Sequence, residues 1–437
     1  MVKLFRSIAL TVVLTTACVV PPNVSVSPSP SGPGTVALSA QSSASTPAVA
    51  ASSVASAPTT ARLPTLAHAS DGLETFALGN LSGEIAFVTR QTRHSPTGLP
   101  IYKELWAMPL DGSAPRLSAI YRAGFDPRMS DTNVLARQFS PDSRRLLLSV
   151  GLGPVDPAYQ LVVLELATGT VTRLLSEPAM RSHERSPAWS PDGRYVAFSR
   201  RAYPTQGIDG EIWVAGSDGR GSKRLYTAVQ GGGATVWGWT ADSRLIGFDP
   251  LAFESAPYAL LDLDGNITRI TDRSVTSTAA VSWRARVPMF AGSFADSPRT
   301  ATRIDLLIAD RPGEPTRTLV SQPADTATGS TGLTDPRWDP SGTDVLIYRR
   351  TGADSTTVIH DLSTGARREI GSRVSRAEWT PNGGRIVTVE EHPSTGPHTL
   401  FVFSRDGQVV RSELGLPPDT ASGGRIYRLG DLAVRSY

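Results

Sequence analysis

The chain has 437 residues, of which 40% are hydrophobic and 19% are charged, values ordinary for a soluble globular protein. Lys3 and Arg6 supply two of its 43 basic residues, so the rest of the chain nearly balances its 40 acidic residues. No basic cluster interleaved with aromatic residues occurs, which argues against nucleic-acid binding. A single cysteine excludes an internal disulfide framework.

The N-terminal residues predict export. Lys3 and Arg6 flank the start of an apolar segment, residues 8–20, that is short for a bilayer span and typical of a secretory leader. The residues before Cys18 resemble a bacterial lipobox, although Thr15 stands where a large aliphatic residue is usual. We therefore predict a signal peptide over residues 1–17 and an acylated Cys18 that anchors the protein to a membrane of the cell envelope. The alternatives are a secreted protein and an uncleaved N-terminal anchor.

Residues 18–70 predict a disordered tether. They are mostly Ser, Pro, Ala, Thr and Val, and no charged residue precedes Arg62. Such a segment cannot bury enough apolar surface to offset the entropy lost on ordering. About 365 residues, 71–437, remain for one folded domain.

A repeated motif divides this domain into units. The stretch WSPDGRYVAFSR at residues 189–200 combines an aromatic residue, a tight turn and an alternating strand pattern. Similar stretches open at Phe139, Trp239, Trp338 and Trp379, and weaker ones at Leu78 and Trp283. The openings lie roughly 40–60 residues apart, a period typical of propellers and solenoids.

The second half of each unit also repeats, as in EIWVAGSDG at residues 211–219. Asp-Gly between alternating runs is a strong hairpin signal, so each unit is expected to hold two hairpins, or four strands. The prediction is an all-β, seven-bladed β-propeller with units that begin near residues 130, 183, 233, 278, 332 and 374. Six blades, with the Trp283 unit merged into a neighbour, is the alternative. Residues 425–434 or 73–78 are expected to close the ring.

The opening motif itself is predicted to be structural. Asp192 can bond to its own turn, Pro191 presets the backbone and Gly193 tolerates positive φ. Trp189 is a large apolar side chain suited to the contact between neighbouring blades. Repetition in every unit is what packing requires.

Repeated W-S-P-D-G stretches followed by E-[IL]-W-V-type strands and D-G turns resemble the TolB-type, WD-related propeller repeat. The resemblance covers residues 73–414 and implies the propeller fold. Proteins with such blades include periplasmic TolB proteins, which bind partners of the Tol–Pal system, and the propeller half of prolyl oligopeptidase-like enzymes. TolB resembles a six-bladed propeller behind a separate α/β domain, so its specific partner is not carried over to this chain.

Motifs of enzymes are absent from the sequence. It contains no G-x-S-x-G, H-E-x-x-H, Walker loop, C-x-x-C or G-x-G-x-x-G. The six histidines are scattered, so no metal site is predicted, and no cofactor is expected.

The segments just before the opening aromatics hold the candidate binding residues. They should lead into the innermost strands, near the mouth of the central channel, where propellers build ligand sites on variable loops. The candidates are His183, Glu184, Arg185, Trp237, Asp335, Arg337, Arg376 and Glu378. Their mixed signs predict a partner that is neither strongly acidic nor strongly basic.

The function predicted from these features is a non-catalytic binding scaffold outside the cytoplasm. A monomeric, membrane-tethered propeller would present its channel mouth to a protein, a peptide or a cell-envelope glycan. The alternative is a propeller lyase or hydrolase acting on a saccharide or lactone, with His183, Glu184 and Arg185 at the channel mouth.

Overall fold

A computed structural model describes residues 73–93, 101–123, 135–151, 159–175, 182–202, 210–228, 233–251, 259–269, 282–283, 290–295, 303–309, 315–323, 332–351, 355–390, 399–416 and 428–437. All of them belong to one compact unit, Ala57–Tyr437. The predicted signal peptide, Cys18 and the tether lie outside the described residues.

The first half of the described chain forms fifteen strands and one short helix. The first four strands are β1 Leu73–Thr75, β2 Glu84–Arg93, β3 Ile101–Pro109 and β4 Arg116–Ala123. Next come α1 Leu135–Gln138, β5 Arg145–Gly151, β6 Tyr159–Glu165 and β7 Thr170–Arg173. They are followed by β8 Ser182–Trp189, β9 Tyr195–Ala202, β10 Glu211–Gly216 and β11 Lys223–Thr227. The next unit contains β12 Gly233–Trp239, β13 Leu245–Leu251, β14 Ala259–Asp262 and β15 Ile267–Arg269.

The second half continues the same four-strand pattern. It begins with β16 Ser282–Trp283, β17 Phe290–Ala295, β18 Arg303–Ala309 and β19 Arg317–Pro323. Then come β20 Gly332–Trp338, β21 Val345–Thr351, β22 Thr356–Asp361 and β23 Arg367–Ile370. The last unit is β24 Val374–Trp379, β25 Arg385–Glu390, β26 Thr399–Ser404 and β27 Val409–Gly415, and the chain ends with β28 Arg428–Ser436.

These strands pair into the six sheets of an all-β propeller with mostly four-stranded blades. Sheet 1 has the order β1-β4-β3-β2-β28, and sheet 2 contains β5 to β11. Sheets 3, 4, 5 and 6 are four-stranded and follow chain order, from β12–β15 to β24–β27. The second strands are mostly apolar, as in the Ile386-Val387-Thr388-Val389 stretch of β25, because both faces of each blade are covered.

The prediction of seven separate blades is not supported, because six sheets are observed. The units that open at Phe139 and Trp189 share sheet 2, joined by a parallel pairing of Tyr159 with His183. The first of them starts with α1 instead of an inner strand, and Phe139 forms only an isolated bridge to Leu146. The six-blade alternative gave the correct number of blades. It was wrong about which unit merges with a neighbour, since the Trp283 unit forms sheet 4 by itself.

The predicted ring closure and five of the six predicted boundaries are confirmed, while the sixth boundary, near residue 130, lies outside the described residues. Units begin at residues 182, 233, 282, 332 and 374, close to the expected positions. The C-terminal strand β28 pairs with β2 as the inner strand of sheet 1, so both ends of the chain contribute to one blade. Closure by distant segments makes the ring depend on contacts that are far apart in sequence.

An N-terminal strap, residues 73–79, links sheet 1 to sheet 2. Its strand β1 pairs with the outer strand β4. The N–H groups of Leu78 and Gly79 then donate to the carbonyls of Leu166 and Ala167, at 2.9 and 3.0 Å, beside the β6–β7 turn. The strap covers the outer edge of the closing blade, which would otherwise expose unpaired backbone groups.

Apolar side chains are buried between successive units. One cluster joins sheets 6 and 1, others join sheet 1 to the Phe139 unit and sheet 5 to sheet 6, and one lies inside sheet 2 between its two units. Five clusters contain one buried opening aromatic each, namely Phe139, Trp189, Trp239, Trp338 or Trp379, whereas the cluster between sheets 6 and 1 contains none of them. The core is therefore a series of blade interfaces.

Hydrogen bonds confirm that the opening motif is structural. In the Trp189 unit the Ser190 hydroxyl donates to Asp192 at 2.7 Å, and the Arg194 N–H donates to the same carboxylate at 3.1 Å. Partial burial raises the pKa of Asp192, but these hydrogen bonds outweigh it and hold the pKa below its usual value. Gly193 has φ of 73°, as the turn requires.

Two of the opening tryptophans also donate hydrogen bonds across blade interfaces. The indole N–H of Trp239 donates to the Ala188 carbonyl at 3.0 Å, and that of Trp379 donates to the Arg337 carbonyl at 3.2 Å. In both cases the acceptor directly precedes the opening tryptophan of the preceding unit. Each tryptophan thus sets the distance between two inner strands.

Candidate functional site: the inner strands

The predicted site residues lie within the innermost strands. His183, Glu184 and Arg185 are in β8, and Trp237 is in β12. Asp335 and Arg337 are in β20, while Arg376 and Glu378 are in β24. Their expected position in loops that lead into these strands is therefore wrong. The opening aromatic marks where an inner strand ends, whereas the strand begins six or seven residues earlier in β8 and β20.

Glu184 is turned away from solvent, with 1% of its surface exposed. Its Oε2 accepts the Leu161 N–H at 3.0 Å, and its carbonyl accepts the Ser149 hydroxyl at 2.5 Å. Burial raises the pKa of this carboxyl, although the Leu161 bond and the charges of Arg200 and Arg173 act in the opposite direction. Through these two bonds Glu184 joins the two units of sheet 2.

The other two residues of this group are described to different extents. His183 pairs through its backbone with Arg201 of β9 and with Tyr159 of β6, and its side chain lies outside the described residues. The half-buried Arg185 follows it in β8. Of the two side chains described, Glu184 is buried and only Arg185 is partly exposed.

A β-bulge in the inner strand positions Asp335. Its φ is 55°, and Ser186 has φ of 49° at the equivalent place in β8, three residues before the tryptophan. Both residues precede proline, which normally favours extended backbone, so each conformation costs of order 1–3 kcal/mol. Asp335 is buried, and its Oδ2 lies 3.5 Å from Arg349 Nε. The bulge and this ion pair direct the Asp335 carboxylate into the blade.

The structure brings together two of the predicted residues from different blades. Arg337 Nε lies 3.2 Å from Glu378 Oε2, and both side chains are mostly buried. Arg337 also donates to the Pro336 carbonyl at 2.9 Å. Arg376 lies two residues before Glu378 on β24, so the two side chains share one face of the blade.

Two arginines that sequence reasoning missed complete the site. Arg137, in α1, donates to the Val236 carbonyl at 3.3 Å, and its guanidinium carbon lies 5.4 Å from the centre of the Trp237 ring. Its side chain therefore spans from the first unit of sheet 2 to sheet 3. Leu, Ala, Arg and Gln are good helix formers, which is consistent with a helical turn there. Arg137 lies two residues before Phe139. It therefore also belongs to a segment just before an opening aromatic, the pattern that identified the other candidates.

Arg435, near the end of β28, is the second missed residue. It donates to the Val434 carbonyl at 2.9 Å and to the Ala136 carbonyl, and its guanidinium carbon lies 4.8 Å from the centre of the Phe139 ring. Burial lowers the pKa of Arg435, and the nearby Glu378 charge acts in the opposite direction. No repeat motif precedes Arg435, so only ring closure brings it to the site.

The described part of the chain holds neither a candidate metal-binding cluster nor a candidate membrane-spanning helix. No three His, Cys, Asp or Glu side chains among the described residues are grouped so that they could hold a metal ion. No helix within the described ranges is long and apolar enough to cross a membrane.

Comparisons with known proteins bear on the fold alone. No known protein-family model matches the chain, and no curated protein matches it in sequence. The β-propeller domain of the Trilobed protease from Pyrococcus furiosus is similar in structure, with a TM-score of 0.50 and 14% identity over 80% of this chain and 99% of that one.

Two further solved structures are similar. Acylaminoacyl peptidase from Pyrococcus horikoshii has a TM-score of 0.50 and 13% identity over 78% of this chain, which spans only 52% of the peptidase. TolB from Acinetobacter baumannii has a TM-score of 0.39 and 15% identity, over 80% of this chain and 67% of TolB. The likeness to the propeller domain of the Trilobed protease supports the β-propeller fold of this chain.

Proposed function

We propose that the protein is a non-catalytic binding scaffold that presents its innermost strands to a protein, a peptide or a cell-envelope glycan. The observation that carries this proposal is the chemistry of the half-buried side chains on those strands. They include Trp237, Arg337, Arg376 and Glu378, the aromatic and charged types that dominate binding surfaces. The residues that recur from unit to unit, in contrast, lie in the turns and at the blade interfaces.

The position of Glu184 weakens the enzyme alternative. A general acid or base must lie within hydrogen-bond reach of the atom that it protonates or deprotonates. The Glu184 carboxylate is buried against the Leu161 N–H, and the Asp335 carboxylate is buried beside Arg349. Neither carboxylate can meet a saccharide or lactone without rearrangement of an inner strand.

A capture experiment tests the scaffold. Full-length protein immobilised on beads is incubated with solubilised envelope proteins and with purified peptidoglycan, and Trp237→Ala is compared with Val410→Lys. Val410 lies exposed on the outer strand β27 and serves as the matched control. We expect Trp237→Ala to reduce capture several-fold and Val410→Lys to leave it unchanged. Loss of capture in Val410→Lys alone, or release of a cleaved glycan by the wild-type protein, would contradict the proposal.

The scaffold is proposed to be held at a membrane through an acylated Cys18. The short apolar leader, the lipobox-like residues and the Ser/Pro/Ala-rich segment support this anchor. A flexible tether of this length reaches about 40 Å, enough to hold the propeller clear of the membrane surface. Cys18→Ser is expected to move the protein from the detergent phase to the aqueous phase in a Triton X-114 partition. Unchanged partitioning would favour an uncleaved anchor.

A further inference from the structure

The charge of the innermost elements differs from the charge expected from sequence. The eight predicted residues include three arginines and three carboxylates, but Glu184 and Asp335 are buried within the blades. Among the described residues of α1, β8, β12, β20, β24 and β28, the half-buried charged side chains are Arg137, Arg185, Arg337, Arg376, Arg435 and Glu378. Five cations therefore accompany one anion.

Three of these arginines surround the single carboxylate. Glu378 bonds to Arg337 and attracts Arg435, while Arg376 shares its face of β24. Arg435 in turn donates to the carbonyl of Ala136, next to Arg137. We call Arg337, Arg376 and Arg435 the arginine cluster. It joins inner strands of sheets 5, 6 and 1, and sheet 1 meets sheet 6 only because the ring is closed.

One guanidinium N–H group of the arginine cluster lacks a hydrogen-bond acceptor among the described residues. Arg376 Nη1 donates to the Ser375 carbonyl at 2.6 Å, whereas Arg376 Nε is buried and has no hydrogen-bond partner among the described residues. A buried donor without an acceptor is costly, so a water, an ion or a ligand group that accepts its hydrogen bond stabilises the protein. The acceptor that suits a guanidinium best is the oxygen of a carboxylate or phosphate.

We propose that the arginine cluster binds an oxyanion, a carboxylate or phosphate group carried by the partner of the scaffold. The proposal rests on the proposed function and names the chemistry that the inner strands recognise. A cation excess around Glu378 favours anions over neutral or basic groups. The planar fork of a guanidinium can also orient the anion through two parallel hydrogen bonds.

Isothermal titration of the full-length protein tests the proposal with two probes, citrate and inorganic phosphate. Each titration is run at one fixed ionic strength set with sodium chloride, with glucose as the neutral comparison. We expect saturable binding of at least one anion and none of glucose. Arg376→Gln should weaken that binding about tenfold or more, because it removes a charge-assisted hydrogen bond. Tighter binding of citrate would identify a carboxylate site, and tighter binding of phosphate a phosphate site.

The matched control is Arg269→Gln, which removes an exposed arginine from the outer strand β15. It should bind the anion as the wild-type protein does. Equal weakening by both variants, or no saturable binding of either anion, would overturn the proposal. If Arg376→Gln does not fold by circular dichroism, Arg376→Lys keeps the charge but loses the fork, and the same loss is expected. If the protein captures envelope components but binds no anion, only the oxyanion proposal is overturned. If it binds an anion but captures no envelope component, only the proposed scaffold function is overturned.

Discussion

Glu104→Ala is expected to lower the free energy of unfolding by about 3–5 kcal/mol, because it leaves a buried guanidinium without its carboxylate. Arg90 Nη2 lies 2.5 Å from Glu104 Oε2, and only 2% of the Arg90 side chain is exposed. The Trp106 indole N–H donates to the same oxygen at 2.8 Å. One substitution therefore removes a buried ion pair and a buried hydrogen bond together. Urea unfolding followed by tryptophan fluorescence measures the change.

The protein contains its own control for this prediction. In the E-I-W stretch Glu211 accepts the Trp213 indole N–H at 2.8 Å and pairs with Arg224 at 2.8 Å. The Arg224 side chain is 56% exposed, so Glu211→Ala should cost only about 1 kcal/mol. Equal losses in Glu104→Ala and Glu211→Ala would show that burial of the ion pair does not determine its contribution.

Gly219→Ala is expected to destabilise the protein by about 3–5 kcal/mol, through a combination of backbone strain and overpacking. Gly219 has φ of 78°, and an added Cβ would lie 1.5 Å from the backbone oxygen of Leu174. Both backbones are held by hydrogen bonds, since the Leu174 N–H donates to the Leu161 carbonyl at 3.0 Å and the Gly219 N–H donates to the Gly216 carbonyl at 2.8 Å. Thermal and urea unfolding of the purified variant test this.

Gly221→Ala separates the two contributions. Gly221 has φ of 63°, but an added Cβ would have no neighbour within 4 Å. The variant therefore carries only the conformational cost, about 1–2 kcal/mol. Similar stability of Gly219→Ala and Gly221→Ala would mean that the two units of sheet 2 are not closely packed at this point.

The sequence alone determined the construction of each unit. Asp192 and Gly193 form the turn that their residue types predict, and the opening tryptophans pack between units as expected. The unit boundaries and closure by the C-terminal segment were also predictable. These features depend on local backbone preferences and on a pattern repeated in register, and both can be read from neighbouring residues.

Only the tertiary structure decided how the units join and which charges reach the innermost surface. A single parallel pairing of Tyr159 with His183 merges two units into sheet 2, and no sequence signal marks it. Glu184 and Arg376 occupy similar segments before an opening tryptophan, yet one is buried in the sheet while the other stays half-buried. Arg435 meets Glu378 only after ring closure. These outcomes depend on side-chain direction within a bulged strand and on contacts between distant segments, which local pattern does not specify.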